Sequence, residues 1–311
     1  MRWINSCPRF CAAALLVTLS ASGVAAERIY SVGFAQDTMQ NDWRAAQVLE
    51  MQQALAPYKN IRFIYTDAKG NPARQALDAE QLVSQGVDFL VTSPRDPNIM
   101  TPVINRIYNA GTPVILLTRK IKNNRFTTFI SADDTLIARA AARHLIAELG
   151  GKGKVVMLQG VPTATTARYR AKGFRQEIAG TPGIKIVAEP VGNYLRADAI
   201  RETEKIIKAG IRFDAIYAHS DSMAAGARIA LTKAGINPKR IKIVGIDYIP
   251  EARVAILSGD QSASFTYPTA GKAGAKTILD LIKGRKIKKY QTIPFIKVTR
   301  KNADKINTVI R

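Results

Sequence analysis

Polar and aromatic side chains stand just behind short apolar runs at several points along this chain. Trp43 and Arg44 follow the run Ile29 to Phe34, Thr118 and Arg119 follow Pro113 to Leu117, and Ser220 and Asp221 follow Ala215 to Ala218. Asp247 comes directly after Val244-Gly245-Ile246. A guanidinium offers a rigid fork of donors, a carboxylate accepts, and an aromatic ring supplies an apolar face. Such groups suit reversible recognition of a small polar molecule.

Catalytic patterns are missing. The chain holds no Gly-x-Ser-x-Gly elbow, no phosphate loop and no His-Glu pair at zinc spacing. Gly150-Gly151-Lys152-Gly153 precedes a strand-like run instead of following one, which makes it a turn and not a nucleotide fingerprint. His144 and His219 are the two histidines, too few for a metal cluster, and His219 is expected to be packed and neutral. The expectation is a binding protein without catalytic residues, metal or cofactor.

Those residues need elements to hold them, and the chain supplies an alternation. Ile29 to Phe34, Ile61 to Tyr65, Val87 to Val91 and Pro113 to Leu117 are expected as buried strands. Trp43 to Leu55, Pro72 to Gln85 and Ile99 to Asn109 carry apolar residues at helical spacing. After Phe129-Ile130 the pattern restarts: helix Asp134 to Leu149, strand Lys154 to Gln159, helix Ala164 to Ala179, strand Ile184 to Ala188 and helix Ala197 to Ala209. Further strands are expected at Ala215 to Ala218, Ile241 to Ile246 and Ala263 to Thr266. The tail, Lys286 to Lys289 and Lys297 to Arg311, is expected as a basic surface strand and a terminal helix. Alternation of this kind requires a parallel sheet with helices on both faces, here twice. The fold class is therefore α/β, two doubly wound parallel-sheet lobes joined by a multi-strand hinge near Ser131 and Thr266. The expected lobes are 27–130 plus 267–294 and 131–266 plus 295–311. Open sheets of this type bind ligands beyond the carboxyl ends of their strands, where the polar residues above stand.

Residues 1–26 fit a secretory signal peptide. Arg2 and Arg9 give a positive start, an apolar or small run follows from Cys11 to Val24, and Val24-Ala25-Ala26 suits cleavage after Ala26. Both cysteines, Cys7 and Cys11, fall inside it, so disulfides and thiol chemistry are not expected in the mature chain. Pro8-Arg9-Phe10 does not make a lipobox, which leaves a soluble, exported protein in the periplasm. The formal charge is +22. Behind an export signal that excess points to anionic membrane surfaces, an acidic docking face or an anionic ligand, and not to nucleic acid.

The strand-end segments resemble the sugar-binding proteins of bacterial ABC importers, of the ribose- and galactofuranose-binding type. Val32-Gly33-Phe34-Ala35-Gln36 with Asp42-Trp43-Arg44-Ala45-Ala46 is similar to the opening of the galactofuranose-binding branch. Val114 to Arg119, Leu158-Gln159-Gly160 with Arg170 and Gly173-Phe174, Tyr217 to Met223 with Gly226-Ala227, and Val244 to Asp247 follow in the family's order. The resemblance implies a type I periplasmic binding protein that closes over one sugar or sugar derivative and docks, as a monomer, on an ABC permease. The alternative it leaves open is a ligand-sensing adaptor for a histidine kinase or chemoreceptor. A transcription regulator of the same core would need an N-terminal helix-turn-helix, where this chain has an export signal.

By resemblance, Trp43 and Arg44 stack on and hydrogen-bond the ligand ring, Arg170 reaches across the cleft, and Tyr194 is a second aromatic. Local readings stand beside these: first-turn packing for Trp43, a helix cap or a ligand donor for Asn41, a surface loop for Tyr194, a cap before Pro250 for Asp247. Thr266 lies at a hinge crossing where relatives often carry glutamine. Arg168 is expected to be a solvated neighbour of Arg170. The family's Asp-Arg is Thr118-Arg119 here, and its Asn-Asp is Ser220-Asp221. Fewer acidic groups beside Arg44, Arg119 and Arg170 lead to the expectation of a modified sugar or sugar acid.

Overall fold

The computed structural model describes residues 28–310. The expected leader and its cleavage site lie outside the described residues. The first lobe is built from β1 (Tyr30–Gln36), α1 (Asp42–Leu55), β2 (Ile61–Asp67), α2 (Pro72–Ser84), β3 (Phe89–Thr92), α3 (Pro97–Asn109), β4 (Val114–Leu117) and β5 (Thr128–Ser131). The second contains α4 (Asp134–Glu148), β6 (Gly153–Leu158), α5 (Thr165–Ile178), β7 (Ile184–Ala188), α6 (Arg196–Lys208), β8 (Ala215–Ala218), α7 (Asp221–Lys233), β9 (Lys242–Val244) and α8 (Pro250–Ser258). The chain ends with β10 (Ser264–Phe265), α9 (Gly271–Ile282), β11 (Tyr290–Thr292) and β12 (Lys297–Val298).

Six parallel strands in the order β11-β5-β4-β3-β1-β2 form one sheet, and four in the order β7-β6-β8-β9 form the other. β3 and β4 are buried along their whole length because helices cover both faces, which is why they read as unbroken apolar runs. Each fully buried aliphatic side chain there contributes roughly 1.5–3 kcal/mol. Helices start where a short polar side chain stops the strand-side loop. Asn41, Asn71, Asp96 and Asp133 each accept a hydrogen bond from the first turn of their helix, and Pro72 and Pro97 open α2 and α3.

In each sheet the strand order reverses beside the first strand of the lobe, between β1 and β3 and between β6 and β8. A crevice forms at such a reversal because the helices on either side leave to opposite faces. The chain passes between the sheets three times: from β5 to α4, from β10 to α9, and from β11 to β12, which pairs antiparallel with β10. α7, α8 and α9 carry no counterpart among the expected helices. The expected terminal helix is not formed. After β12 the backbone makes turns over 300–305, held in place by a 2.6 Å bond from the Tyr248 hydroxyl to the Ala303 carbonyl. The amides of Ala303 and Ile306 bond the carbonyls of Thr299 and Asn302, so single helical turns form without joining into a helix.

Candidate ligand-binding cleft

β1 delivers Asp37 to the crevice, β3 delivers Ser93, β4 delivers Thr118 and Arg119, and the first turn of α1 presents Arg44. Arg119 donates to Asp37 Oδ2 at 2.7 Å, and Arg95 reaches the same oxygen at 3.4 Å. Arg44 Nη1 bonds Ser93 Oγ at 2.7 Å, Gln47 Oε1 at 3.2 Å and Thr118 Oγ1 at 3.3 Å, while its Nε stands 3.7 Å from Asp37 Oδ1. Burial raises the Asp37 carboxyl, but Arg119, Arg44 and Arg95 outweigh it and hold the group below the usual range. Burial, and then the charge of Arg119, lower Arg44 to about 10. Thr118 sits in the left-handed region at φ 61°, the turn that swings Arg119 back over the sheet edge.

The second lobe answers with its own ion pair. Arg170 Nε donates to Asp134 Oδ1 at 2.8 Å, its Nη1 bonds the His219 carbonyl, and Asp247 Oδ1 lies 4.0 Å away. Burial works against the Arg170 charge, but Asp134 more than compensates and keeps it cationic. The Tyr267 hydroxyl donates to Asp134 Oδ2 at 3.1 Å, and the guanidinium of Arg170 lies 4.3 Å from the Tyr267 ring centre. The Asp247 carboxylate has no hydrogen-bond partner in the chain among the described residues, and burial raises it well above the ordinary range against the pull of Arg170. Tyr194, at φ 64°, hydrogen-bonds Thr166 Oγ1 at 3.0 Å and lies flat over Gly160. A Cβ at Gly160 would come 2.0 Å from the Tyr194 ring, so only glycine admits the tyrosine there.

Asn41, Trp43, Arg44, Thr166, Arg170, Tyr194, Asp247 and Tyr267 enclose a cavity of about 20 Å³ between the lobes. That is room for a water molecule, and the lobes must part to admit anything larger. They touch directly: Asn41 Nδ2 donates to the Tyr194 carbonyl at 2.8 Å, the Lys120 amide to Thr165 Oγ1 at 3.1 Å, and Thr163 Oγ1 to the Arg95 carbonyl at 3.1 Å. A larger cavity of about 270 Å³ flanks the hinge between Lys120, Phe129, Tyr169 and Tyr290. The buried guanidiniums do not line it; charge and aromatic rings converge at the smaller one.

Of the expected site residues, Asn41, Trp43, Arg44, Arg170, Tyr194 and Asp247 line this cavity together. Arg119 and Thr118 stand one layer behind, bonded to Asp37 and Arg44. Asn41 both caps α1 and bridges the lobes. Trp43 donates to the Tyr267 carbonyl at 2.8 Å and packs against that ring. Asp247 does not cap α8, whose N-cap is Ile249. Three residues fall elsewhere. Ser220 caps α7 through the Met223 amide. Asp221 is buried under the sheet edge, accepting from Gln261 Nε2 and the Tyr248 amide, each at 2.7 Å. A Cβ at Gly245 would strike its carboxylate. Thr266 Oγ1 accepts from the Ile296 amide at 2.8 Å and ties two hinge crossings together.

Asp37, Asp134, Thr166 and Tyr267 were not among the expected residues. Asp37 follows β1 just as Arg119 follows β4, so the strand-end rule applied evenly would have found it. Tyr267 and Asp134 each follow a hinge crossing. His219 is fully buried, accepts from the Gly160 amide at 3.2 Å, and is held neutral by burial and by Arg170. Arg168 is exposed, as expected. Among the described residues no group of three or more His, Cys, Asp or Glu side chains could hold a metal, and no helix is long and apolar enough to cross a membrane.

Comparison with known proteins gives a consistent picture. The chain is 31% identical over 256 residues to a galactofuranose-binding protein of Escherichia coli (strain K12), covering 80% of each chain. The fructose-binding periplasmic domain of a hybrid two component system superposes with a TM-score of 0.84 at 30% identity, over 88% of this chain and 92% of that one. The binding component of an arabinose ABC transporter from Shewanella sp. ANA-3, bound to L-arabinofuranose, gives 0.83 at 29%, over 88% and 93%. Residues 32–286 match the periplasmic binding protein domain family. With its two lobes, its clasped cleft and that match, the chain belongs to the periplasmic binding protein domain family.

Proposed function

We propose that this chain binds a sugar or sugar derivative in the cleft between its lobes and delivers it, by closing, to an ABC importer permease. One observation carries the reading: two buried arginine–aspartate pairs, one in each lobe, flank a cavity lined by Trp43, Tyr194 and Tyr267. The Asp134 pair orients the Arg170 guanidinium so that its remaining N–H groups can serve ligand hydroxyls, the Asp37–Arg119 pair stands behind Arg44, and the rings offer faces for stacking. Asp247 supplies the carboxylate free to accept from a hydroxyl. The names of the similar proteins, which bind galactofuranose, fructose and arabinofuranose, favour the same ligand class. The site we assign is Asn41, Trp43, Arg44, Arg170, Tyr194 and Asp247 against the ligand, with Thr118 and Arg119 behind them.

Asp37 bears on the ligand's charge. It provides a carboxylate beside Arg119 although Thr118 stands where the family's aspartate would be. Arg44 is left with neutral oxygens as its hydrogen-bond partners and is the group that would meet an acidic substituent. We take the lobes to be 27–130 plus 267–294 and 131–266 plus 295–311, the leader to be cleaved after Ala26, and the working unit to be a monomer in the periplasm. The structural likeness to a hybrid two component system keeps a second reading in play, in which the closed form is presented to a membrane sensor.

A thermal-shift series on the mature chain with neutral sugars, sugar acids, sugar phosphates and polyols tests the proposal. A ligand at 100 times its dissociation constant stabilises the fold by about 2.7 kcal/mol. A sugar-class hit lost in Asp247→Asn supports the assignment. Binding that survives in that variant, or a hit confined to non-carbohydrate compounds, overturns it.

A further inference from the structure

We infer that Tyr267 is the positioning residue of the cleft, setting Trp43 of the first lobe and Arg170 of the second at the separation a bridging ligand requires. The inference rests on the cleft being the ligand site, as proposed above. Tyr267 follows β10, on the passage to α9, and is 1% exposed. Though sealed from solvent, it lines the cavity together with Trp43, Arg170 and Asp247.

Its contacts run to both halves of the site. Toward the first lobe, its carbonyl accepts the Trp43 indole N–H at 2.8 Å, and the two ring centres lie 5.5 Å apart, inclined at 43°. Toward the second, its ring centre lies 4.3 Å from the Arg170 guanidinium, and its hydroxyl donates to Asp134 Oδ2 at 3.1 Å. Asp134 Oδ1 takes Arg170 Nε, and the His219 carbonyl takes Nη1. Two acceptors and a ring thus hold the guanidinium. Its Nη2 makes no hydrogen bond among the described residues and remains for a ligand.

Ser131 Oγ, at the end of β5, lies 3.1 Å from the same Tyr267 hydroxyl. One phenol therefore joins two of the three passages between the sheets to the aromatic and cationic walls of the cleft. With only two side-chain torsions, a tyrosine holds such a spacing at small entropic cost. Burial, and then the charge of Asp134, push its ionisation upward, so the hydroxyl keeps the proton it donates. The simpler use of a buried tyrosine is to fill the core, and Tyr217 shows it. That ring stacks 4.3 Å from Phe174, and its hydroxyl has no hydrogen-bond partner among the described residues. Tyr267 differs in both respects, because its ring neighbours line the cavity and its hydroxyl bonds the carboxylate that orients Arg170.

Tyr267→Phe, which removes the hydroxyl and keeps the ring, tests the inference beside Tyr248→Phe. The control loses a buried 2.6 Å bond to the Ala303 carbonyl and packs with Ile256 and Val298, away from the residues that line the cavity. Both variants should lower the melting point. In calorimetry with the hit from the sugar panel, affinity should fall about tenfold or more in Tyr267→Phe and less than about twofold in Tyr248→Phe. In an Arg170→Lys background, Tyr267→Phe should cost little further affinity, because the two residues act as one unit. Two signals of the free protein should move in Tyr267→Phe and stay in Tyr248→Phe. They are the Arg170 Nε–H nuclear magnetic resonance and the emission of Trp43, the one tryptophan after residue 26. Equal affinity losses in the two variants, wild-type affinity in Tyr267→Phe, or losses additive with Arg170→Lys make Tyr267 a core filler and overturn the inference. If the wild-type chain binds no sugar, the proposed function falls and the free-protein signals decide this inference alone: moved signals support it, unmoved ones overturn it. Should Tyr267→Phe not fold, Ser131→Ala, which takes away only the neighbour of the hydroxyl on the first passage, is read by the same signals and affinities.

Discussion

Asp37 and Arg119, 82 residues apart in sequence, form a 2.7 Å ion pair in which both side chains are about 1% exposed. β3 separates the strands that carry them, so the pair spans three strands at the carboxyl edge of the first sheet. Two charges withdrawn so fully from water are kept only where partners meet their remaining hydrogen-bonding capacity. Arg44 and Arg95 do this in part for Asp37. Among the described residues Arg119 Nε has no hydrogen-bond partner, and neither has Asp37 Oδ1. Such groups suit a ligand edge better than a finished structural network.

Asp37→Ala leaves three arginines around an empty carboxylate site and should lower the unfolding free energy by about 3–5 kcal/mol. Adding Arg119→Met removes the stranded charge, so the double variant should be more stable than the sum of the single losses predicts. Urea titration of the four proteins checks this, and strict additivity would show that the two residues do not act as a pair.

Asp247→Asn should separate binding from stability. Among the described residues the carboxylate has no hydrogen-bond partner, and it is desolvated, so neutralising it should leave the melting point unchanged or raise it. A hydrogen bond to a charged group is worth about 1.5–3 kcal/mol, so ligand affinity should fall roughly 10- to 150-fold. Calorimetry with the hit from the sugar panel reads both quantities. A large loss of stability with affinity intact would make the residue structural.

Asn41→Asp tests the contact between the lobes. Aspartate still caps α1 through an oxygen, but it cannot donate to the Tyr194 carbonyl and sets a carboxylate against it. Unfolding of the helix should be little affected, while small-angle scattering of the free protein should shift toward a more open, larger radius of gyration. Unchanged scattering would mean that the remaining bridges hold the lobes together without it.

Stability should respond to pH in opposite senses at two carboxylates. Burial raises Asp221 from 3.8 to about 6 despite its bonds to Ser264, Gln261 and Tyr248. Between those values the folded state holds more protons than the unfolded one, so this group's contribution is greatest below pH 3.8 and declines as pH rises to about 6. The change is on the order of 3 kcal/mol. Asp37 is depressed, so its contribution is present above 3.8 and is lost as pH falls through its lower folded value. Comparing wild type with Asp221→Asn from pH 4 to 7 isolates the first effect. The wild-type advantage should shrink with rising pH, and a constant difference would refute the assignment.

How much could be read in advance follows from what each feature depends on. Apolar runs such as Val114–Leu117 are strands in any environment that buries both sheet faces, and Asn41 caps a helix through atoms within its own turn. Local signals of that kind fixed the alternation, the two sheets and the position of polar residues at strand ends. Other elements went unanticipated: α7, α8 and α9 have no expected counterpart, and residues 300–305 take turns where a helix is expected. Family resemblance, together with position behind a strand, pointed to Trp43, Arg44, Arg170, Tyr194 and Asp247, which line one cavity in the structure. The sequence could not say that Asp221 would be consumed by Gln261, Ser264 and the Tyr248 amide, or that Ser220 would serve as a cap. Nor could it say that Asp37 would supply the carboxylate next to Arg119. Those outcomes are set by which strand ends become neighbours across the sheet. Periodicity is encoded residue by residue, whereas the pairing of distant charges depends on a strand order that exists only once the sheets have formed.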